Sequence, residues 1–183
     1  MSSRAQLYSI TSMDPILDSV GCGDNKLLEA IIGDATGDDV AWATSMLSAS
    51  PPDNEPGAWN YVVHHLAEHL HLEMNFLELD DWKHYGVWEE YIPRVRESIS
   101  DPCREMLTMF KDGRPLKGSK VQHDGCCFAW LSADETRQLF TELEKVNGST
   151  LSDDEDIVEF HEELIASFKK ATKLGHAIFY AAH

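Results

Sequence analysis

Three short segments with strand-like composition lie far apart in the chain, and their spacing restricts the fold more than any other feature. They are residues 6–11 (QLYSIT), 126–131 (CCFAWL) and 176–181 (HAIFYA). Between them, apolar residues recur three or four positions apart, as they do along helices. The pattern predicts a predominantly helical α+β domain with a small sheet of about three strands and helices packed mainly on one face.

The first and last of these segments are close to the chain ends and apolar, so we expect them to pair near the centre of the sheet. The 183 residues have the length of one domain, and we expect a single α+β domain over residues 1–183. A flexible connection is predicted within it. Residues 50–57 (SPPDNEPG) contain three prolines and a glycine, a composition that interrupts helices and strands.

Several helices have start signals. Asp14 and Asp101 are candidate caps, each followed by a proline that can take the first helical position, and Ser152 precedes Glu155 with capping-box spacing. Asp24 precedes an apolar helical pattern, and Ser132 is followed three positions later by Glu135. Aspartate and serine side chains accept hydrogen bonds from the first free N–H groups of a helix. The Ser132 and Glu135 spacing is that of a capping box, in which each side chain bonds to the backbone of the other residue.

The chain is strongly acidic. Asp and Glu number 32 and Lys and Arg 15, which gives a formal net charge of −17. Nucleic acids and anionic membranes attract clustered Lys and Arg, so this charge argues against both, whereas a basic protein would be attracted. Acidity also keeps a protein soluble without any partner, and both interpretations stay open. With neither a signal peptide nor a membrane-spanning stretch of about 20 apolar residues, we expect a cytoplasmic location.

The segment from Trp59 to Met74 (WNYVVHHLAEHLHLEM) holds four of the nine histidines. Its apolar residues recur at a helical period, which predicts a helix with one face in the core. Within it, His65, Glu68 and His69 follow the order H-x-x-E-H, in which two histidines one helical turn apart hold zinc and the glutamate activates a water. The alternative function is therefore a zinc-dependent hydrolase with His65 and His69 as ligands and Glu68 as the catalytic base.

The simpler interpretation of these histidines is that they are ordinary, half-exposed helix residues, because such a short pattern arises easily where histidines cluster. No cofactor is expected under that interpretation.

Residues 113–123 (GRPLKGSKVQH) form a basic stretch, with Arg114, Lys117 and Lys120 and no acidic residue. This stretch is interpreted as a solvated loop, and binding of a phosphate or carboxylate is the alternative.

Residues 75–91 are rich in aromatic and acidic side chains. Ring faces and carboxylates together can bind a cationic ligand or an arginine-bearing partner. The candidate partner-binding residues are Asp80, Asp81, Trp82, Tyr85, Trp88, Glu89 and Glu90. Alternatively, the aromatic rings anchor an irregular connection to the core, because large rings bury much apolar area.

The terminal segments resemble a family of small bacterial proteins carried as domains of unknown function. The resemblance lies in LYSI at 7–10, GCGDNKLLEAI at 21–31, CFAWLS at 127–132 and GHAIFY at 175–180. It implies an α+β architecture and supplies no catalytic residues. In charge and size the chain is also similar to immunity proteins that neutralise basic toxins. The main hypothesis is a non-catalytic, immunity- or accessory-type domain that binds a basic protein partner.

Overall fold

The computed structural model describes residues 5–33, 36–48, 56–77, 79, 86–114, 116–117, 122–123, 126–151 and 154–182. These ranges contain eight α-helices, two 3-10 turns at 96–98 and 148–150, and five strands. In chain order they are β1 (Ala5–Ile10), α1 (Asp14–Ser19), α2 (Asn25–Ile32), α3 (Asp38–Leu47), α4 (Pro56–His69), β2 (Met74–Leu77), α5 (Val87–Val95), α6 (Asp101–Asp112), β3 (Gln122–His123), β4 (Cys126–Leu131), α7 (Ala133–Leu143), α8 (Glu155–Leu174) and β5 (Ala177–Ala182).

The strands form one sheet in the order β2-β1-β5-β4-β3, and every neighbouring pair is antiparallel. The first and last strands pair along their full length at its centre, with Ala5 opposite Ala182 and Ile10 opposite Ala177. This confirms the expected pairing of the terminal segments. All six residues of β5 are buried, as is usual for a strand covered on both faces.

Helices cover both faces of the sheet. Leu7 and Tyr180 point into a core formed with α5, α6, α7 and α8, which we call the α5–α8 core. Tyr8 and Phe179 point to the opposite side, into the α1–α4 core formed with the first four helices. The predominantly helical α+β class is confirmed, but the expectation of helices mainly on one face is wrong. The central strands are apolar at odd and even positions alike, so each face requires a cover.

Helix α4 is shorter than the predicted helix 59–74. It begins at Pro56 and ends at His69, and His71 then adopts a left-handed backbone conformation with φ of 53°. The chain turns there into β2, which pairs with β1 at the edge of the sheet. Leu70 and Met74 lie beyond the end of α4 but still pack on the α1–α4 core. Their agreement with the helical period is therefore coincidental. Of the predicted connection at 50–57, residues 50–55 lie outside the described ranges.

No helix within the described ranges has both the length and the hydropathy needed to cross a membrane.

Candidate functional site

The structure separates the predicted partner-binding residues. Glu89 and Glu90 lie exposed in the first turn of α5, where carboxylates are favoured by the helix dipole. Trp88 lies beside them in sequence but faces the core. The other four candidates, Asp80, Asp81, Trp82 and Tyr85, lie outside the described residues.

Trp88 does not belong to a partner-binding surface, because only 1% of the residue is exposed. Its indole ring stacks on Phe110 with a centroid distance of 5.0 Å, and it meets Phe160 and Tyr180 edge to face. Its Nε1 is buried and finds no hydrogen-bond partner within the described part of the chain. For Trp88, the structure therefore supports the interpretation of the aromatic residues as core anchors.

A second aromatic residue of α5 fixes the helix against α8. The Tyr91 hydroxyl lies 2.6 Å from Nδ1 of His161, and Nε2 of His161 lies 3.1 Å from the backbone oxygen of Val146. In the neutral tautomer that satisfies both contacts, Nε2–H donates to Val146 and Nδ1 accepts from Tyr91. Burial lowers the pKa of His161 and raises the pKa of Tyr91. Both groups are therefore neutral at pH 7, and their hydrogen bond links α5 to α8.

This arrangement predicts a loss of stability in mild acid. Because the pKa of native His161 is lowered, the unfolded chain binds more protons once the pH falls to about 6.5 and below. The contribution of His161 is thus complete above that pH and decreases as the pH falls towards the native pKa. We expect the free energy of unfolding, measured in urea at pH 7.5 and 5.5, to change less with pH in His161→Gln than in wild type. An equal pH dependence in both proteins would contradict this role, and His69→Gln, at an exposed position, is the control.

Helices α5 and α6 form an antiparallel hairpin with a groove between them, which we call the α5–α6 groove. At one end, Nε of Arg104 donates to the backbone oxygen of Arg96 at 2.6 Å. At the other end, Lys111 of α6 and Glu89 of α5 form an ion pair of 3.4 Å. The groove has a volume of about 430 Å³ and is lined by Ile92, Arg96, Arg104, Glu105, Thr108, Met109, Asp112 and Gly113.

Some charged groups of this groove already form ion pairs or hydrogen bonds within the chain, and others do not. Arg104 also forms an ion pair with Asp101 at 2.6 Å, so its guanidinium is engaged within the chain. The side chains of Arg96, Glu105 and Asp112 form no hydrogen bond or ion pair with any other described residue. Two carboxylates and one guanidinium therefore remain available to a ligand.

The histidine motif borders a separate groove between α2 and α4, on the opposite face of the sheet. This α2–α4 groove measures about 470 Å³ and is lined by Ala30, Ile31, Ile32, Gly33, Tyr61, His65, Glu68 and His69. The rings of His65 and Tyr61 lie 4.2 Å apart, centroid to centroid, and Glu68 and His69 are exposed. Helical spacing thus brings all three motif side chains to one groove. No cluster of three or more His, Cys, Asp or Glu side chains able to hold a metal occurs among the described residues.

The described cations of the basic stretch 113–123 are engaged within the chain. Arg114 bonds to Glu135 and to the backbone oxygen of Trp130. Nζ of Lys117 donates to the backbone oxygens of Asp18 and Val20 at 3.2 and 3.1 Å. Lys120 lies outside the described residues. The alternative of phosphate or carboxylate binding therefore receives no support from Arg114 or Lys117.

The α5–α6 groove is the site that sequence reasoning missed. Its floor and rim come from two helices, and the way one helix faces another is not encoded in the apolar period of either. The ion pair of Lys111 with Glu89 crosses 22 positions of sequence and has no local signature. The sequence offered one signal for this groove. Ile92 and Met109 are apolar, and each lies at the border of the core-facing stripe of its own helix.

No protein-family model, curated protein or solved structure matches this chain. The resemblance of its terminal segments to a bacterial family thus stays a prediction.

Proposed function

We propose that this chain is a non-catalytic protein-binding domain, of the immunity or accessory type, that recognises a basic protein partner. The observation that carries the proposal is the excess of acidic over basic side chains. The net charge is −17, and many of the described cations already bond to carboxylates or backbone oxygens of the chain itself. These are Arg94, Arg104, Lys111, Arg114, Lys117 and Arg137.

Four of these cations, Arg104, Lys111, Arg114 and Arg137, pair with a carboxylate, so these contacts remove as many negative as positive charges and the net charge stays −17. Glu89 and Glu90 at the start of α5, and Glu159 and Glu162 on α8, are exposed, and exposed carboxylates raise the rate at which a cationic protein docks. The rigid support of α5 by Tyr91 and His161 favours binding, because a fixed surface loses little conformational entropy when a partner docks.

Capture from native lysate tests the proposal. The immobilised chain is expected to retain a basic protein at 50 mM and 150 mM salt, with stronger retention at the lower concentration because charge attraction is screened. The double variant Glu89→Lys, Glu90→Lys should lose most of this capture. Glu29→Lys, Glu144→Lys changes the net charge equally at exposed positions elsewhere and should retain it. Failure to capture any basic protein at either salt concentration would overturn the proposal.

The second candidate is a zinc-dependent hydrolase. The observation that favours it is the position of His65, Glu68 and His69 along one groove. Catalytic zinc usually has three protein ligands, and such a cluster does not occur within the described ranges, so the binding function is better supported. The hydrolase requires stoichiometric zinc in protein purified without a histidine tag, and its loss in His65→Ala and in His69→Ala. Substoichiometric zinc that neither substitution changes would exclude it.

A further inference from the structure

We infer, on the basis of the proposed function, that the α5–α6 groove receives an arginine or lysine side chain of the basic partner. The alkyl stem lies along the groove floor, and the cationic head group lies at the end beside Asp112. This assigns a binding site to a groove that borders the exposed carboxylate of Glu89.

The floor of the groove suits an alkyl stem. Ile92 of α5 and Met109 of α6 are partly buried and pack against the α5–α8 core, which leaves one side of each for a ligand. Long cationic side chains cover apolar surface with their methylene groups while the charged head stays in water. Methionine adapts its shape to such a ligand, because its side chain is unbranched and polarizable. The volume of about 430 Å³ also admits backbone on either side of that residue.

The charges of the groove give the ligand a direction. Glu105 and Asp112 lie seven positions apart and therefore on the same side of α6, about 10 Å apart along the helix axis. Arg96 lies at the opposite end, next to Arg104, where it repels a cation and attracts a carbonyl or carboxylate oxygen. The head group is thus directed to the end where Asp112 has no ion-pair partner among the described residues.

The end of α6 adds to this attraction. Asp112 is the last residue of the helix and Gly113 follows it with a φ of 84°. The final carbonyl groups of a helix carry a partial negative charge, which stabilises cations there. Two sources of negative potential therefore coincide at this end, and the carboxylate of Glu89, paired with Lys111, lies close to it on α5. A partner cation can share Glu89 with Lys111, because their ion pair of 3.4 Å is exposed.

The test uses the full chain with methyl-labelled isoleucine and methionine, titrated with a blocked pentapeptide of one arginine between glycines. The methyl resonances of Ile92 and Met109 are expected to shift and saturate. Asp112→Asn should weaken binding about fivefold, the effect of one exposed ion pair. Glu29→Gln removes one exposed carboxylate from α2, on the other face of the sheet, and should leave the affinity unchanged. Arg96→Gln should tighten binding about twofold, because a repulsive charge roughly 10 Å away is removed.

Three outcomes would overturn the inference: methyl resonances that do not move, equal losses in Asp112→Asn and Glu29→Gln, or equal binding of a pentapeptide with glutamate in place of arginine. Its failure is distinct from failure of the proposed function. If a captured basic partner binds Asp112→Asn as tightly as wild type, the α5–α6 groove is not its binding site, but the proposed function is retained. If the arginine peptide binds saturably and no basic protein is captured, the groove is a binding site for cations, but the proposed function is wrong.

Discussion

Replacing Trp88 with alanine is expected to lower the free energy of unfolding by about 3–5 kcal/mol, the usual cost of truncating a fully buried tryptophan. The ring contacts Phe110, Phe160 and Tyr180, so its removal leaves a cavity in the α5–α8 core between α5, α6, α8 and the sheet. Those neighbours are themselves packed and cannot collapse into the space without losing their own contacts. Urea denaturation monitored by far-UV circular dichroism measures the change.

Trp88→Phe should recover a large part of this loss. Phenylalanine keeps a stacked ring on Phe110, and the Nε1 that it lacks is without a hydrogen-bond partner among the described residues. Glu89→Ala, at the exposed neighbouring position, is the matched control and should change the stability by less than about 0.5 kcal/mol. If Trp88→Ala is as stable as the Glu89→Ala control, the buried position of Trp88 is contradicted, and the interpretation of Trp88 as a surface residue is restored.

Local signals in the sequence predicted the parts of the fold that depend on local contacts. The three predicted strands lie within one residue of β1, β4 and β5, because each is a short apolar run between helical patterns. Two of the start signals were also correct: Asp24 accepts from the backbone of Lys26 and Leu27, and the Ser132 capping box forms in full. Asp14 and Asp101 are instead the first residues of α1 and α6, whose cap positions are Met13 and Ser100. Caps depend on residues two or three positions apart, which a single sequence displays.

Contacts between distant segments account for the features that the sequence did not predict. Strand β2 exists because β1 offers a free edge, and residues 74–77 alone carry no strong strand pattern. The placement of Trp88 could not be deduced from composition, because an aromatic residue beside two glutamates is compatible with a surface or with a helix whose opposite side is buried. For Trp88 the missed signal was local and not a distant contact: Val87, Trp88, Tyr91 and Val95 share the helical period of α5 and form one buried stripe, and Glu89 and Glu90 fall outside it.

The histidine motif is a second case in which local spacing was predictable and contacts between separate elements were not. The helical spacing placed His65, Glu68 and His69 at one groove, as the motif predicts. A metal site also requires a ligand from another element, and that depends on how α2 and α4 pack. Sequence spacing within one helix is therefore sufficient to align side chains and insufficient to assign a catalytic centre.

Replacing Arg114 with alanine is expected to lower the free energy of unfolding by about 2 kcal/mol at pH 7, between the values of exposed and buried ion pairs. Its Nη1 donates to Glu135 at 2.7 Å and to the backbone oxygen of Trp130 at 3.0 Å, and its Cζ lies 3.6 Å from the centroid of the Trp130 ring. The side chains of Arg114 and Glu135 are only 21% and 26% exposed. The loss therefore affects an ion pair, a cation–π contact and the start of α7 together.

The pH dependence distinguishes this role from simple packing. Burial raises the pKa of Glu135, but hydrogen bonds from Arg114 and from the backbone of Ser132 outweigh it, so the pKa lies below its usual value. Stabilisation by the carboxylate is thus present above about pH 4.3, the pKa of an unperturbed glutamate, and is lost as the pH falls through the lower native pKa. Arg114→Ala should consequently lower the free energy of unfolding less at pH 3 than at pH 7.

The control is Arg137→Ala, which breaks the Arg137–Asp134 pair of α7. The side chains of that pair are 64% and 87% exposed, and its loss should change stability by less than about 0.5 kcal/mol at either pH. Equal losses in Arg114→Ala and Arg137→Ala at pH 7 would show that Arg114 contributes no more than a surface charge, and its stretch would then be the solvated loop that the sequence first indicated.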